Sequence, residues 1–319
     1  MNQLFFEWFY IDVHQRDGYD LVLSLHTYPF MSQFKICIFD VFVYYQNQPV
    51  FHRFFVIPQD AIQRPSPFLI EVQTNLRLRF EIKDQQAFLE FVSGQVQIQL
   101  ELKHPKVEGL PLNLELFKEE SNKSFQWKLF MPLARAAGKM TYSGTGEKEI
   151  NHTTIDGMGY LDSNSGNINL KKELAYWLWA KIKWHDELII AGKVKDAKGR
   201  LSNILVKCGK ESIAVDEKAK IDFSSQNISI NGVLGQFDFF LNEVKIIDDL
   251  RFMVSTAPGI FSLPMKIIEV MAGIAVQKKS LKWLAGWLTN GQYFRKRWLA
   301  TTKTREKVEI FGEEMFLNE

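Results

Sequence analysis

The chain has 319 residues, of which 46% are hydrophobic and 24% are charged, so a packed core is expected and a disordered chain is excluded. Its 39 basic and 37 acidic residues leave a net charge of +2, which is too small to attract nucleic acid over the whole surface. The two cysteines, Cys37 and Cys208, are far apart and lack CxxC spacing. This predicts two free, buried thiols in a reducing compartment.

The N-terminal segment predicts a cytoplasmic protein. Residues 1–7 lack the cationic start and long apolar run of a signal peptide. No apolar stretch reaches the roughly 18 residues that a membrane-spanning helix needs.

Motifs for common cofactors are not found in the sequence. The histidines are scattered without HxH or HExxH spacing, so no metal site is predicted. No GxGxxG follows a strand, and there is no Walker sequence and no GxSxG elbow. We therefore predict a protein that uses no cofactor.

The first half of the chain predicts short antiparallel strands. Asp17-Gly18 separates two runs of alternating apolar residues, which is typical of a hairpin. Residues 68–102 alternate apolar and polar side chains with period two, as in strands with one buried face. This favours an all-β barrel or sandwich.

A second hairpin is predicted at mid-chain. A strand through residues 134–142 and a turn at 143–146 precede a strand that runs into Gly159-Tyr160. We interpret this hairpin as the link between two β units, and it places an N-terminal domain at residues 1–145 and a C-terminal domain at residues 146–319.

The C-terminal half adds a segment of helical period. Residues 175–184 form an aromatic strand, but apolar residues from 258 to 288 recur at helical spacing, which predicts a helical insert at about 258–300. One interpretation is a helical pair that packs on a barrel. The other is a peripheral anchor at the inner membrane face, with tryptophans at the lipid boundary and basic side chains at anionic headgroups.

Three motifs follow one another along the chain. They are Glu7-Trp8-Phe9-Tyr10, Pro132-Leu133-Ala134 with Gly138, and Gly159-Tyr160-Leu161-Asp162-Ser163-Asn164-Ser165-Gly166. Their order and spacing resemble the lipocalin-like family that includes carotenoid 1,2-hydratase (hydroxyneurosporene synthase) and the AttH-type bacterial proteins, with tocopherol cyclase and fungal decalin-forming Diels–Alderases as relatives.

The resemblance implies two tandem calycin-type β-barrels with a ligand pocket near their interface. It also implies cofactor-free hydration or cyclisation of a long apolar polyene or isoprenoid-like molecule. This sequence departs from the family pattern at Phe9, where a second Trp is usual, and at Ser163, where a His is usual. The second departure removes a side chain that titrates near neutral pH, which favours a shape-driven cyclase of the Diels–Alderase kind.

The candidate catalytic residues are Asp162, Tyr160 and Glu7. A carboxylic acid in an apolar cavity could protonate an alkene, and aromatic faces could stabilise the resulting cation. The alternative is structural: Asp162 holds an irregular turn through backbone hydrogen bonds, and Glu7 is a buried acid that is bonded to backbone or Arg and holds the two barrels together. The candidate ligand-binding residues are Trp8, Tyr10, His26, Tyr28, Asn164, Trp177 and Trp179.

A second class of function stays open at this point. The chain has 26 Phe residues, which fill the core of a β-rich protein or line a cavity for an apolar ligand. A lipid or pigment carrier without turnover would use the same barrel and aromatic lining. The sequence does not name the substrate or the oligomeric state.

Overall fold

A computed structural model describes residues 6–31, 36–116, 123–143, 150–209, 211–249 and 292–316. The chain divides into two compact units, Met1–Ile168 and Asn169–Glu319. Each unit is built on one antiparallel sheet, with twelve strands in the first and nine in the second. The predicted all-β fold class is therefore confirmed.

The first sheet has the strand order β4-β3-β2-β1-β12-β11-β9-β8-β7-β6-β5, and β10 pairs with β11. A short 3-10 helix, Gln59–Ala61, lies between β4 and β5. The strands are β1 (Phe6–Gln15), β2 (Tyr19–Met31), β3 (Ile36–Tyr45), β4 (Gln48–Pro58), β5 (Ile62–Ser66), β6 (Leu69–Gln73), β7 (Arg77–Lys83), β8 (Gln86–Val92), β9 (Val96–Lys103), β10 (Leu112–Leu116), β11 (Phe125–Tyr142) and β12 (Asn151–Gly166).

The core of the first unit lies on one face of this sheet, which we call the inner face. Rings from strands that are not neighbours meet there: Phe39 of β3 lies 4.7 Å from Phe91 of β8, and Phe9 of β1 lies 5.1 Å from Phe80 of β7. The sheet therefore curls around its core. The opposite, outer face is exposed along β6 to β9, which gives the alternation predicted for residues 68–102.

The outer face is different along β1, β2, β3 and β12, where it is buried as well. Asp12, Val22, Asp40 and Phe42 are all fully buried on that face. Buried carboxylates need hydrogen-bonding or charged partners. This part of the outer face therefore contains buried polar groups as well as apolar side chains.

The second sheet has the strand order β16-β15-β14-β13-β21-β20-β19-β18-β17. It follows the four-residue helix α1 (Leu170–Glu173), whose N-cap Asn169 accepts a hydrogen bond from the backbone of Lys172. The strands are β13 (Leu174–Trp184), β14 (Glu187–Asp196), β15 (Leu201–Cys208), β16 (Ile213–Asp216), β17 (Lys220–Phe223), β18 (Asn227–Gly232), β19 (Gly235–Asp249), β20 (Gln292–Thr302) and β21 (Lys307–Phe316).

The core of the second unit also lies on one face of its sheet. Trp298 of β20 is buried there against Phe223 of β17, with ring centroids 5.4 Å apart. Cys208 is buried in this unit and Cys37 in the first, and both thiols are free, as predicted. Burial raises the pKa of each thiol to about 12, so neither is a reactive thiolate at neutral pH.

The boundary between the units lies later in the chain than the sequence suggested. The mid-chain hairpin is present, since Tyr142 of β11 pairs with Asn151 of β12. Both of its strands, however, belong to the first sheet, because β12 also pairs with β1 along its length. Residues 146–168 are thus part of the first unit, and Gly159–Gly166 is a central strand and not the opening turn of the second unit.

The predicted helical insert needs a partial correction. Residues 292–300 form strand β20, where Trp298 and Ala300 are buried and Leu299 is exposed. This period of two suits a strand held between β19 and β21 and not a helix. Residues 258–291 lie outside the described residues, so the helix there stays a prediction.

The close packing of β11 against β9 gives a stability prediction. A Cβ added at Gly138 would lie 2.0 Å from the backbone oxygen of Gln99, so Gly138→Ala should cost about 1–3 kcal/mol of unfolding free energy. Gly94→Ala is the matched control, because nothing lies within 4 Å of its added Cβ. Chemical denaturation would measure both variants, and equal stability would contradict the close approach.

Candidate functional site

The predicted residues of the first unit divide between the two faces of β1 and β12. Tyr10 pairs with Asp162, and Trp8 pairs with Asn164, so these four side chains share the outer face. Glu7 is the neighbour of Trp8 in β1 and therefore points to the inner face. Asp162 and Glu7 thus cannot act on one substrate atom from the same side of the sheet.

Asp162 is the centre of a buried hydrogen-bond cluster. Its Oδ2 accepts a hydrogen bond from the hydroxyl of Tyr160 at 2.6 Å and another from Nε1 of Trp127 at 2.7 Å. All three side chains are at most 4% exposed. The carboxylate oxygen is therefore an acceptor that fixes a phenol and an indole. This differs from the backbone hydrogen bonds that the structural interpretation of the sequence predicted.

Trp127 is the participant that sequence reasoning missed. It lies in β11 and pairs with Asn164 on the outer face. Its position opposite Asn164 could not be predicted by counting residues back from the hairpin turn. The reason is that β11 has register irregularities between Leu129 and Met131 and between Met131 and Ala134, which change the pairing.

His26 joins the same face from β2. It pairs with Trp8, its ring centroid lies 5.8 Å from the indole, and its Nε2 lies 3.0 Å from Oγ of Ser24. Burial lowers the pKa of His26 from 6.5 to about 4. The imidazole is therefore neutral at physiological pH and serves as a hydrogen-bonding group, not as a proton donor.

Oδ1 of Asn164 is a buried side-chain oxygen without a described hydrogen-bond partner. The residue is 3% exposed, and it stands in one cross-strand row between Trp8 of β1 and Trp127 of β11. Its Oδ1 is buried and has no hydrogen-bond partner among the residues that the structure describes. A buried amide oxygen without a donor costs about 1–3 kcal/mol, so such atoms are uncommon unless a ligand or water pairs with them.

Ring contacts complete this site. The rings of Tyr10 and Tyr160 meet edge to face with centroids 6.2 Å apart, and the ring of Phe6 lies 5.1 Å from that of Trp8. We call the outer-face group Trp8, Tyr10, His26, Trp127, Tyr160, Asp162 and Asn164 the outer-face site. It combines aromatic rings with the buried amide oxygen of Asn164, which has no described hydrogen-bond partner.

Glu7 occupies a separate cluster on the inner face. Its Oε2 accepts hydrogen bonds from Oγ1 of Thr27 and Nη2 of Arg64, and Arg64 also reaches Thr27. The ion pair gives Glu7 the Arg partner that the structural interpretation of the sequence predicted, but Glu7 and Arg64 both belong to the first unit and not to two different barrels.

The remaining predicted residues lie elsewhere. Tyr28 belongs to β2, but its side chain lies outside the described residues. Trp177 and Trp179 belong to β13 of the second unit. Trp179 is 5% exposed and meets Phe311 edge to face at 6.5 Å, with Nζ of Lys181 5.8 Å from its ring centroid.

No group of three or more His, Cys, Asp or Glu side chains in the described ranges is arranged to hold a metal ion. No described helix is both long and apolar enough to cross a bilayer. The cytoplasmic location and a membrane contact through residues 258–300 stay predictions.

The Asp162 cluster predicts energetic coupling between its members. In a double-mutant cycle, Tyr160→Phe and Asp162→Ala should couple by about 1 kcal/mol or more, because the hydroxyl donates to a buried carboxylate and alanine has no acceptor in its place. Unfolding free energies of the two single variants and the double variant would measure it. Strictly additive effects would contradict the hydrogen bond.

His26 predicts a specific pH dependence of stability. Its folded pKa of about 4 lies below the unfolded value near 6.5, so the unfolded chain binds more protons between these values. The contribution of neutral His26 to the free energy of unfolding is fully present above pH 6.5. It is lost as the pH falls towards 4, by an amount on the order of 3 kcal/mol.

This dependence is measured by comparing unfolding of the wild type and His26→Gln at pH 7 and pH 5. The variant should lose less stability on acidification than the wild type does. His152→Gln, at an exposed position of β12, is the control and should follow the wild type. An equal loss of stability between pH 7 and pH 5 in the wild type and in His26→Gln would contradict a buried neutral imidazole.

Comparisons with known proteins identify the fold. No protein-family model matches the chain, and no curated protein matches it. Among solved structures, CghA in complex with Sch210972 is similar with a TM-score of 0.62 and 11% identity, covering 98% of this chain and 88% of that one. A putative AttH protein from Nitrosomonas europaea is similar with a TM-score of 0.57 and 10% identity, covering 98% and 93%.

A third similar structure is kievitone hydratase from Nectria haematococca, with a TM-score of 0.53 and 10% identity, covering 98% of this chain and 88% of that one. The similarity spans nearly the whole chain in each case. At such low identity it establishes the fold and not the activity. The chain thus has the lipocalin-like fold of these proteins, and the resemblance predicted from the three sequence motifs is confirmed at the level of the fold.

Proposed function

We propose that the protein is a cofactor-independent cyclase that binds a long apolar polyene or isoprenoid-like molecule at the outer-face site. The observation that carries this proposal is Oδ1 of Asn164, a buried acceptor without a described partner between two indoles. A substrate hydroxyl or amide N–H would supply the donor that this oxygen lacks. The flanking rings would hold the apolar part of the same molecule.

The chemistry of the site favours cyclisation over acid-driven hydration. Hydration of an alkene needs a proton donor, but Oδ2 of Asp162 already accepts two hydrogen bonds. His26 is neutral because burial lowers its pKa to about 4. A pericyclic closure needs no proton, since it is accelerated by holding the chain in a reactive conformation.

Asp162 then has a positioning role in this proposal. It fixes the Tyr160 hydroxyl and the Trp127 indole through its own hydrogen bonds, so that their rings present fixed faces to a ligand. Rigid aromatic walls would hold a flexible substrate in one conformation, so that its conformational entropy is lost on binding and not in the reaction step. Trp8 and Tyr10 would complete the wall from β1.

The structural neighbours support a small-molecule function without defining it. CghA was crystallised with the compound Sch210972, and another neighbour is named a hydratase of kievitone. The fold therefore serves proteins that hold or convert small organic molecules. A carrier without turnover is the competing function, and the following experiment separates it from catalysis.

Delipidated full-length protein should convert a member of a panel of linear polyenes and acyclic isoprenoids into a cyclised isomer of unchanged mass, as measured by liquid chromatography and mass spectrometry. Asn164→Leu should lower turnover by about tenfold or more, because it removes the acceptor at similar volume. Asp162→Asn should keep turnover within about tenfold of the wild type, because pocket volume is preserved.

Asp156→Asn is the matched control, because Asp156 lies in the same strand with an exposed side chain. A product heavier by one water, lost entirely in Asp162→Asn, would show acid-driven hydration and overturn the cyclase. A ligand recovered unchanged and in stoichiometric amount would indicate a carrier.

A further inference from the structure

A groove lies on the outer face of the first sheet, where β6 to β9 continue into β11 and β12. Its cavity volume is about 760 Å³, which falls in the range of roughly 300–1,000 Å³ that is usual for small-molecule sites. A twisted sheet is saddle-shaped, so its outer face is concave along one diagonal. His152 lines the groove and precedes Asp162 by ten residues in β12, which is roughly 33 Å along an extended strand. The groove is therefore separate from the outer-face site.

Hydrogen-bond donors from three strands converge at one end of the groove. Lys139 of β11 pairs with Gln99 of β9. Two residues further on, Thr141 pairs with Gln97 of β9 and with His152 of β12. Paired residues have Cβ atoms about 5 Å apart, and successive residues on one face of a strand lie roughly 6.6 Å apart. These five side chains can therefore reach one ligand group, and each of them can donate a hydrogen bond.

A second cation, Arg77 of β7, lines the other end of the groove. Arg77 pairs with Val92 of β8, and Val92 pairs with Gln97. Gln97 in turn pairs with Thr141, so three strand spacings of about 4.8 Å, roughly 14 Å in all, separate Arg77 from Thr141. The groove thus has a basic side chain at each end, with a valine and an amide between them.

The acidic side chains of the groove, Glu71 and Glu90, flank a third cation. Both pair with Arg79 of β7 across the strands. Nη1 of Arg79 lies 3.6 Å from Oε1 of Glu71, and its Nη2 lies 2.8 Å from Oε2 of Glu81. The charge of Arg79 is therefore balanced within the sheet.

The other two cations keep their charge available. No carboxylate oxygen of the described residues lies within 4.0 Å of Nζ of Lys139 or of the guanidinium of Arg77. An exposed lysine in this state would not define a site by itself. Here the concave surface and the neighbouring donors of Gln97, Thr141 and His152 add a defined geometry around the charge.

We propose that this groove binds a small organic bisphosphate. One phosphate would be bound by Lys139, with Thr141 and His152 as further donors. The other would be bound by Arg77, whose planar guanidinium pairs with phosphate through two parallel N–H groups. Gln97 lies between the two ends and would hydrogen-bond the polar middle of the ligand. This site goes beyond the proposed function, because it shares no residue with the outer-face site.

The test compares three sugars that differ only in their phosphates. Titration calorimetry of the full-length protein in phosphate-free buffer should show that fructose 1,6-bisphosphate binds about tenfold more tightly than fructose 6-phosphate, and that fructose does not bind. Arg77→Gln should weaken the bisphosphate to the level of the monophosphate and leave the monophosphate nearly unchanged. Lys139→Gln should weaken both by about tenfold, because a single phosphate binds at the end with more donors.

Arg135→Gln is the matched control, because it removes the same charge from an exposed position of β11 outside the groove, 3.7 Å from Asp156. It should bind the bisphosphate as the wild type does. An equal loss of affinity in Arg135→Gln would show general charge attraction and overturn the proposal. Unchanged affinity in Arg77→Gln and Lys139→Gln, or a wild type that binds the bisphosphate no better than fructose, would also overturn it. None of these results depends on turnover at the outer-face site.

Discussion

The pairing of β1 with β12 is the constraint on which the first unit depends. These strands are separated by almost the whole of the first unit in sequence, yet they pair from Phe6↔Gly166 to Gln15↔Gly157 without a register irregularity. A slip of β12 by one residue against β1 would exchange the two faces of β12. It would bring Tyr160, Asp162 and Asn164 into the apolar core and turn Leu161 out of it. The cost of burying those polar groups against hydrocarbon keeps the register in place.

This register explains why adjacent residues of one motif have unlike surroundings. Asp162 faces outward to Tyr160 and Trp127, while Ser163 faces inward in the row of Phe9 and Lys128. The same separation holds for Glu7 and Trp8 in β1. A run of consecutive polar residues in a strand is therefore divided into two groups, one on each side of the sheet. The sequence-level picture of one catalytic group made of Asp162, Tyr160 and Glu7 treated the motif as if it were a loop.

The elements that sequence could predict are those that depend on local patterns. Period two along residues 68–102 identified half-buried strands, and the motifs in β1 and β12 identified the fold. Long-range pairing was not readable, since no local pattern shows that the strand after the mid-chain hairpin returns to β1. The unit boundary was therefore placed too early in the chain. Trp127 was missed for a related reason, because two irregularities in β11 shift its pairing partner.

The two faces of these strands differ in their electrostatic arrangement. On the outer face the charged or titratable groups of the site are engaged or neutral: Asp162 accepts two hydrogen bonds, and His26 is uncharged. Oδ1 of Asn164 is a buried neutral acceptor there without a described partner. On the inner face Glu7 is paired with Arg64, and Nζ of Lys128 lies 4.9 Å from the ring centroid of Phe68. Neighbouring residues of one strand thus take part in unlike chemistry, because the pleat directs them to opposite sides of the sheet.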